Sequence, residues 1–137
     1  MTAAAPVFTD WPISIDDARA ARERLSTYLS PTPFRYYPQL GEAVGGMDIF
    51  VKHENHQPTN SFKIRNGLSF MTALSEAERR RGVVAASTGN HGQGIAYGAG
   101  QLGVSATICV PKGNNPEKNA AMRALGLPRR PSRRVRA

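Results

Sequence analysis

A single cysteine, Cys109, leaves this 137-residue chain without a partner for an internal disulfide. That excludes the disulfide frameworks of small secreted domains and fits a reducing cytoplasm. Long hydrophobic runs are also lacking. No stretch approaches the ~20 residues that a bilayer-spanning helix needs, so no membrane partner is expected. Residues 1–13 hold neither a basic patch nor the apolar core of a secretory signal. Acidic residues are scarce, 10 against 18 basic, for a net charge of +8. Five of the basic residues (Arg129, Arg130, Arg133, Arg134 and Arg136) crowd into the last eleven positions, and without them 13 basic residues face 10 acidic ones. The basic balance therefore belongs to the tail, which has no aromatic interleaving for base stacking. Alone it would offer nucleic acid only salt-sensitive, sequence-independent phosphate contacts. A nucleic-acid partner is not expected.

What is present is 40% apolar residues in spaced segments, enough for one domain of ordinary size. Ser14 is a natural helix cap, with Asp16 and Asp17 at the positive end of the helix dipole. Ile15, Ala18, Leu25, Tyr28 and Leu29 share one face, and Pro31 and Pro33 end the helix. Short strands are expected over 32–37, where Pro38 sets the limit, and over 47–52. A second helix is expected from a cap at Asn60 or Ser61 through Arg81, with Ile64, Leu68, Met71 and Leu74 as its apolar stripe and Gly82 as its stop. Residues 83–87 read as a buried strand, about 93–102 as a glycine-bearing helix closed by Gly103, and 106–110 as another strand. Asn115 with Pro116 starts a last helix, which Gly126 closes. Strands and helices alternating in this way predict an α/β fold with right-handed crossovers and an open parallel sheet.

Three places invite chemistry. Lys63 stands just inside the second helix, where the dipole disfavours an ammonium and where a neutral amine suits a nucleophile; on position alone an ordinary surface lysine is the stronger reading. The turn Ser87-Thr88-Gly89-Asn90-His91-Gly92 lies between a strand and a helix, so its backbone N–H groups form an anion site for phosphate or carboxylate. Its glycine spacing fails the dinucleotide fingerprint because Tyr97 occupies the third glycine position, and P-loop spacing is absent. His53 and His56 are three apart on a strand-to-loop segment, where convergence is not expected; His53-Glu54-Asn55-His56 is one residue short of the zinc-protease spacing. No metal site is predicted. Cys109, within an apolar strand, is expected to be buried packing.

Asn60-Ser61-Phe62-Lys63-Ile64-Arg65, followed by Ser87-Thr88-Gly89-Asn90-His91-Gly92, resembles the active-site pair of the pyridoxal-phosphate-dependent serine/threonine dehydratase and serine racemase family, the fold type II enzymes related to the tryptophan synthase β chain. The resemblance runs from about Ser14 to Gly126. It implies pyridoxal 5'-phosphate as cofactor, with Phe62, Lys63 and Asn90 as cofactor-binding residues. Lys63 would be the covalent anchor and the base at the α-carbon. Ser87, Thr88, Gly89, Asn90 and His91 would bind a small hydroxyamino-acid substrate, which would leave as a 2-oxo acid and ammonia. Thr88 stands where racemases carry a serine that acts as the second acid/base. Threonine keeps the hydroxyl with a stiffer rotamer, which leans the reading from racemization to elimination.

The same resemblance divides the chain at 82/83. Residues 1–82 would belong to the larger, cofactor-lysine domain and 83–126 would begin the smaller one, with Lys63 and Asn90 across a cleft and a family-like homo-oligomer as the assembly. Residues 127–137 break the pattern with two prolines and five arginines, and are read as a frameshifted or disordered end. The family's glycine-rich phosphate loop and its partner for the pyridine nitrogen find no equivalent in the sequence. An incomplete fold with exposed apolar surface is therefore expected, and either a truncated lyase or a non-catalytic pseudo-enzyme satisfies the motifs.

Overall fold

Ser14 caps the first helix as its sequence predicts. In the computed structural model, which describes residues 12–126, α1 (Ile15–Ser26) begins with a reciprocal capping box. The Asp17 N–H donates to Ser14 Oγ at 3.1 Å, and the Ser14 N–H donates to the Asp17 carboxylate at 2.7 Å. Donation from the Ser14 N–H and from the Ser14 hydroxyl, the latter also at 2.7 Å, holds the Asp17 carboxyl below its ordinary range. Leu25 and Leu29 are buried, but Ile15 remains 65% exposed, so only the C-terminal half of the expected apolar face finds cover among the described residues. The arginine-rich 127–137 segment lies outside them.

β1 (Phe34–Tyr36) pairs with β2 (Phe50–Lys52), placing Phe34 opposite Lys52 and Tyr36 opposite Phe50. The pair is antiparallel, which corrects the expectation of parallel pairing throughout. Between the strands lies α2 (Pro38–Ala43), with Pro38 at its start and only six residues in length. The chain doubles back after it into the antiparallel partner. Pro38 limits the strand by beginning a helix that the apolar pattern did not reveal.

The single helix expected to end at Arg81 is two. α3 (Lys63–Ala73) stops where Leu74 turns extended, and α4 (Glu76–Arg81) starts anew. The reason is local: Ser75-Glu76-Ala77-Glu78 is itself a capping box, with the Ser75 N–H donating to the Glu78 carboxylate at 2.8 Å. Phe62, rather than Asn60 or Ser61, occupies the cap position of α3, although Ser61 Oγ still accepts from the Lys63 N–H at 3.2 Å.

β3 (Val83–Ala86) and β4 (Ala106–Cys109) form the predicted parallel pair, Val83 against Ala106 and Ala86 against Cys109. α5 (Asn90–Leu102) connects them, beginning three residues earlier than expected, and α6 (Pro116–Leu125) follows under an Asn115 cap. Along the pair, Val84, Ala86, Thr107 and Cys109 are exposed, because alternate residues point away from α5. Val84 is 77% exposed. Cys109 is therefore exposed rather than buried: its strand face has no cover among the described residues.

The core forms where α3 meets α5. Ile64, Leu68 and Met71 are fully buried, in clusters with Leu25, Leu29 and Tyr97 on one side and Ile95, Ala99 and Val104 on the other. Glycines let the two backbones touch. A Cβ on Gly94 would stand 2.5 Å from the Lys63 carbonyl oxygen, one on Gly98 would stand 2.9 Å from Met71 Cγ, and one on Gly67 would overlap the Gly94 carbonyl. Lys63 against Gly94 and Met71 against Gly98 mean that the helices run the same way, with both N-termini at one end. Gly67→Ala should cost about 3 kcal/mol or more, since backbone cannot yield as a side-chain tip can. Urea denaturation followed by circular dichroism measures it, and an unchanged midpoint would contradict the close approach.

Candidate active site

The end shared by α3 and α5 is also the end where β3 and β4 finish, the usual ligand position of an open parallel α/β unit. Lys63 is the first residue of α3 and is half-buried. Its Nζ lies 5.1 Å from the centroid of the Phe62 ring, in cation–π contact. That ring is 59% exposed.

The segment leading into Lys63 is anchored from below. Gln57, Thr59 and Ser61 are buried, and Glu54 organises the base. Arg65 meets it with two parallel bonds, Nε to Oε2 and Nη2 to Oε1, each 2.8 Å. Thr32 Oγ1 donates to Glu54 Oε1 at 2.6 Å, and Lys52 Nζ donates to the Thr32 carbonyl at 2.5 Å. The Arg65 hydrogen bonds, opposed by partial burial and helped by Thr32, hold the Glu54 carboxyl down at about 2, while Glu54 raises Arg65. Arg65 belongs to the motif string, but its partner eleven residues back carries no local signal.

Across from Lys63, Ser87 clasps the turn. Its Oγ accepts from the Gly92 N–H at 2.9 Å and from the Gly89 N–H at 3.3 Å, and its own N–H donates to the Cys109 carbonyl at 3.1 Å. The Ser87 hydroxyl thus holds the turn's shape. Thr88 and Asn90 are exposed, whereas Gly89 and His91 are half-buried. A groove beside His91 runs along β3 past Asn66 and Phe70. Asn66 and Phe70 lie three and seven residues beyond Lys63, on the helix face that continues from it.

Lys118, in the first turn of α6, belongs to no motif in the sequence. Its Nζ lies 3.3 Å from where a Gly89 Cβ would be. The available signal was the one that marks Lys63, a cation at the positive end of a helix.

His53 and His56 do come together, contrary to expectation. A 3-10 turn over Glu54–His56 brings their rings to 5.2 Å between centroids, and the Tyr37 hydroxyl is 2.8 Å from His53 Nε2. Among the described residues no group of three or more His, Cys, Asp or Glu side chains could hold a metal ion.

Lys63 supplies a half-buried primary amine, the turn an exposed carboxamide and helix-start N–H groups, and Lys118 a second ammonium. That donor set fits an anionic aldehyde and a carboxylate-bearing ligand. The fold and this end of it define an α/β cofactor-binding unit, and comparison with known proteins makes the assignment specific. The family described as pyridoxal-phosphate dependent enzyme matches residues 25–128, and the chain belongs to that family. It is 43% identical over 114 residues to the L-threonine ammonia-lyase of Thermotoga maritima, covering 83% of this chain and 28% of the relative. It is 40% identical over 112 residues to the catabolic L-threonine dehydratase of Escherichia coli, covering 82% and 34%. Among solved structures it superposes on a pyridoxal 5'-phosphate-dependent aspartate racemase with a TM-score of 0.79 and 34% identity, covering 88% of this chain and 38% of the other. It superposes on maize serine racemase with a TM-score of 0.78 and 30% identity, covering 86% and 36%. The fold is thus that of the fold type II enzymes, and the chain spans about a third of the length of these relatives.

The Glu54–Arg65 pair makes the acid limb of stability testable. A carboxyl lowered from 4.5 to about 2 on folding contributes stability that is fully present above the unfolded value. That contribution is lost as pH falls through the folded value, a window of about pH 4.5 to 2. With solvent screening of the partly exposed pair, about 1–2 kcal/mol is at stake. Urea midpoints across that window should fall in the native chain, and Glu54→Gln should remove much of the slope.

Proposed function

We propose that this chain carries the lysine-bearing half of the site of a pyridoxal-phosphate-dependent ammonia-lyase, acting on a small hydroxyamino acid of the serine/threonine class. The observation that supports it most directly is the juxtaposition of Lys63 and the 87–91 turn at one end of two helices in backbone contact. Lys63 would hold the cofactor covalently and, as a free amine, would take the proton from the substrate α-carbon. Phe62 would supply a ring face beside it, and Asn90 would donate to the cofactor's ring oxygen. The N–H groups of the turn, with Ser87, Thr88, Gly89 and His91 around them, receive the substrate carboxylate. The bound cofactor supplies the electron sink that makes the α proton acidic. Loss of the β-hydroxyl, followed by hydrolysis, yields a 2-oxo acid and ammonia. The Thr88 hydroxyl, on a β-branched side chain, favours elimination over the racemization named for the two structural neighbours.

The remaining features of this reading follow the same line. The chain divides at 82/83 into portions of a larger and a smaller domain. It works in the cytoplasm, consistent with one unpaired cysteine, and assembles as a homo-oligomer. No helix among the described residues is long and apolar enough to cross a membrane.

An absorbance scan of the purified chain with pyridoxal phosphate, beside Lys63→Ala, tests the proposal. A visible-edge band that survives desalting and is lost in Lys63→Ala is expected, with ammonia released from L-serine or L-threonine. A retained, Lys63-dependent band without ammonia release would assign the chain to a cofactor-binding but non-catalytic role. Absence of the band would overturn the proposal.

A further inference from the structure

The ammonium of Lys118 is brought to the candidate site from an element that no motif includes. Lys118 follows Asn115 and Pro116, and its backbone N–H is fixed by donation to Asn115 Oδ1 at 3.2 Å. From that anchored first turn of α6 its side chain reaches back to Gly89, at the centre of the 87–91 turn. Two features say that the charge is not there for the helix. A cation at the positive end of a helix is unfavourable, and the ion pairs among the described residues join Arg19 with Asp16, Arg65 with Glu54 and Arg80 with Glu76, leaving Lys118 outside them.

Gly89 also permits the approach. A side chain there would press on Lys118 Nζ at 3.3 Å and Cδ at 3.8 Å. The turn's own donors are partly spent, because Ser87 Oγ takes the N–H groups of Gly89 and Gly92. An anion at the turn would therefore gain from a further donor, and Lys118 is the cation poised beside it.

We propose that Lys118 is a substrate-carboxylate binding residue: its ammonium pairs with the carboxylate received by the 87–91 turn and raises affinity for anionic over neutral ligands. The inference rests on the reading of that turn as the carboxylate site. It does not depend on covalent attachment at Lys63.

The test uses 3-hydroxypropionate, which has the carboxylate and hydroxyl of the substrate class but no amine to react. Amide shifts of Gly89, Asn90 and Gly92 are followed by nuclear magnetic resonance as it is titrated into the cofactor-free chain. Saturable shifts are expected in the native protein. Affinity should drop roughly three- to tenfold in Lys118→Gln and stay near native in Lys118→Arg, the range of a partly exposed charge-assisted bond. Propionamide, the uncharged probe, should be insensitive to either change. Because the side chain is exposed, both variants should keep the native spectrum elsewhere, and agreement between them separates charge from folding. Equal affinity in Lys118→Gln, or no saturable shift in the native chain, overturns the proposal. In a Lys63→Ala background the loss of affinity caused by Lys118→Gln should persist. Lost cofactor attachment with intact, Lys118-dependent carboxylate binding would reject the lyase reading and keep this one.

Discussion

The contact between α3 and α5 decides the geometry of everything around it. Gly67, Gly94 and Gly98 form the seam, and each removes a Cβ that would otherwise collide with the opposite helix. Three glycines in or near helix interiors cost about 1 kcal/mol each in propensity. The burial of Ile64, Leu68, Met71 and Ile95 on the same interface far exceeds that, at roughly 1.5–3 kcal/mol for each large side chain. Local helix stability is given up to gain close approach. With larger residues at the seam the helices would separate, and Lys63 would recede from the turn at Asn90. A seam of backbone also cannot readily slide, so it fixes both the spacing and the relative rotation of the two helix starts.

Rigidity continues outward from that seam in polar form. Glu54 gathers Arg65, Thr32 and Gln57 beneath the chain that enters α3, and Ser87 gathers the N–H groups of the opposite turn. Both are single side chains with several partners, so each fixes a stretch of irregular backbone that no ladder or helix bond would hold. Catalysis by positioning needs supports of this kind, because the groups proposed to meet a ligand are on segment ends rather than inside elements.

Features encoded over a few consecutive residues are legible in the amino-acid sequence alone. The Ser14 cap, the Ile64–Leu68–Met71 stripe, the βα turn and the Asn115-Pro116 start are all local, and all form as expected. The split at Leu74 is equally local: Ser75 and Glu78 spell a capping box, but the continuing helical composition masks it. What stays hidden depends on contacts between distant segments. Glu54 meeting Arg65, Lys118 meeting Gly89, and the antiparallel return of β2 onto β1 leave no periodicity to detect. Cys109 departs from its expected burial for a related reason. An apolar strand predicts burial only if both of its faces are covered, and strand composition does not say by what.

That last point bears on how the molecule divides its work. The face of β3 and β4 turned away from α5 carries Val84 and Cys109 into the open, and Ile15 does the same on α1. These are core residue types placed by the pleat and the helical repeat, so they ask for cover that the described residues do not supply. The chain spans only about a third of the length of its relatives, and a sheet two strands wide is small for an open α/β fold. The site end is different. Lys63, the 87–91 turn and Lys118 are positioned by contacts wholly among the described residues: the glycine seam, the Ser87 clasp and the Asn115 cap. The groups that would meet substrate are therefore better determined by this chain than the surfaces that would stabilise it. Local chemistry can be argued here residue by residue, while stability depends on what covers the remaining faces.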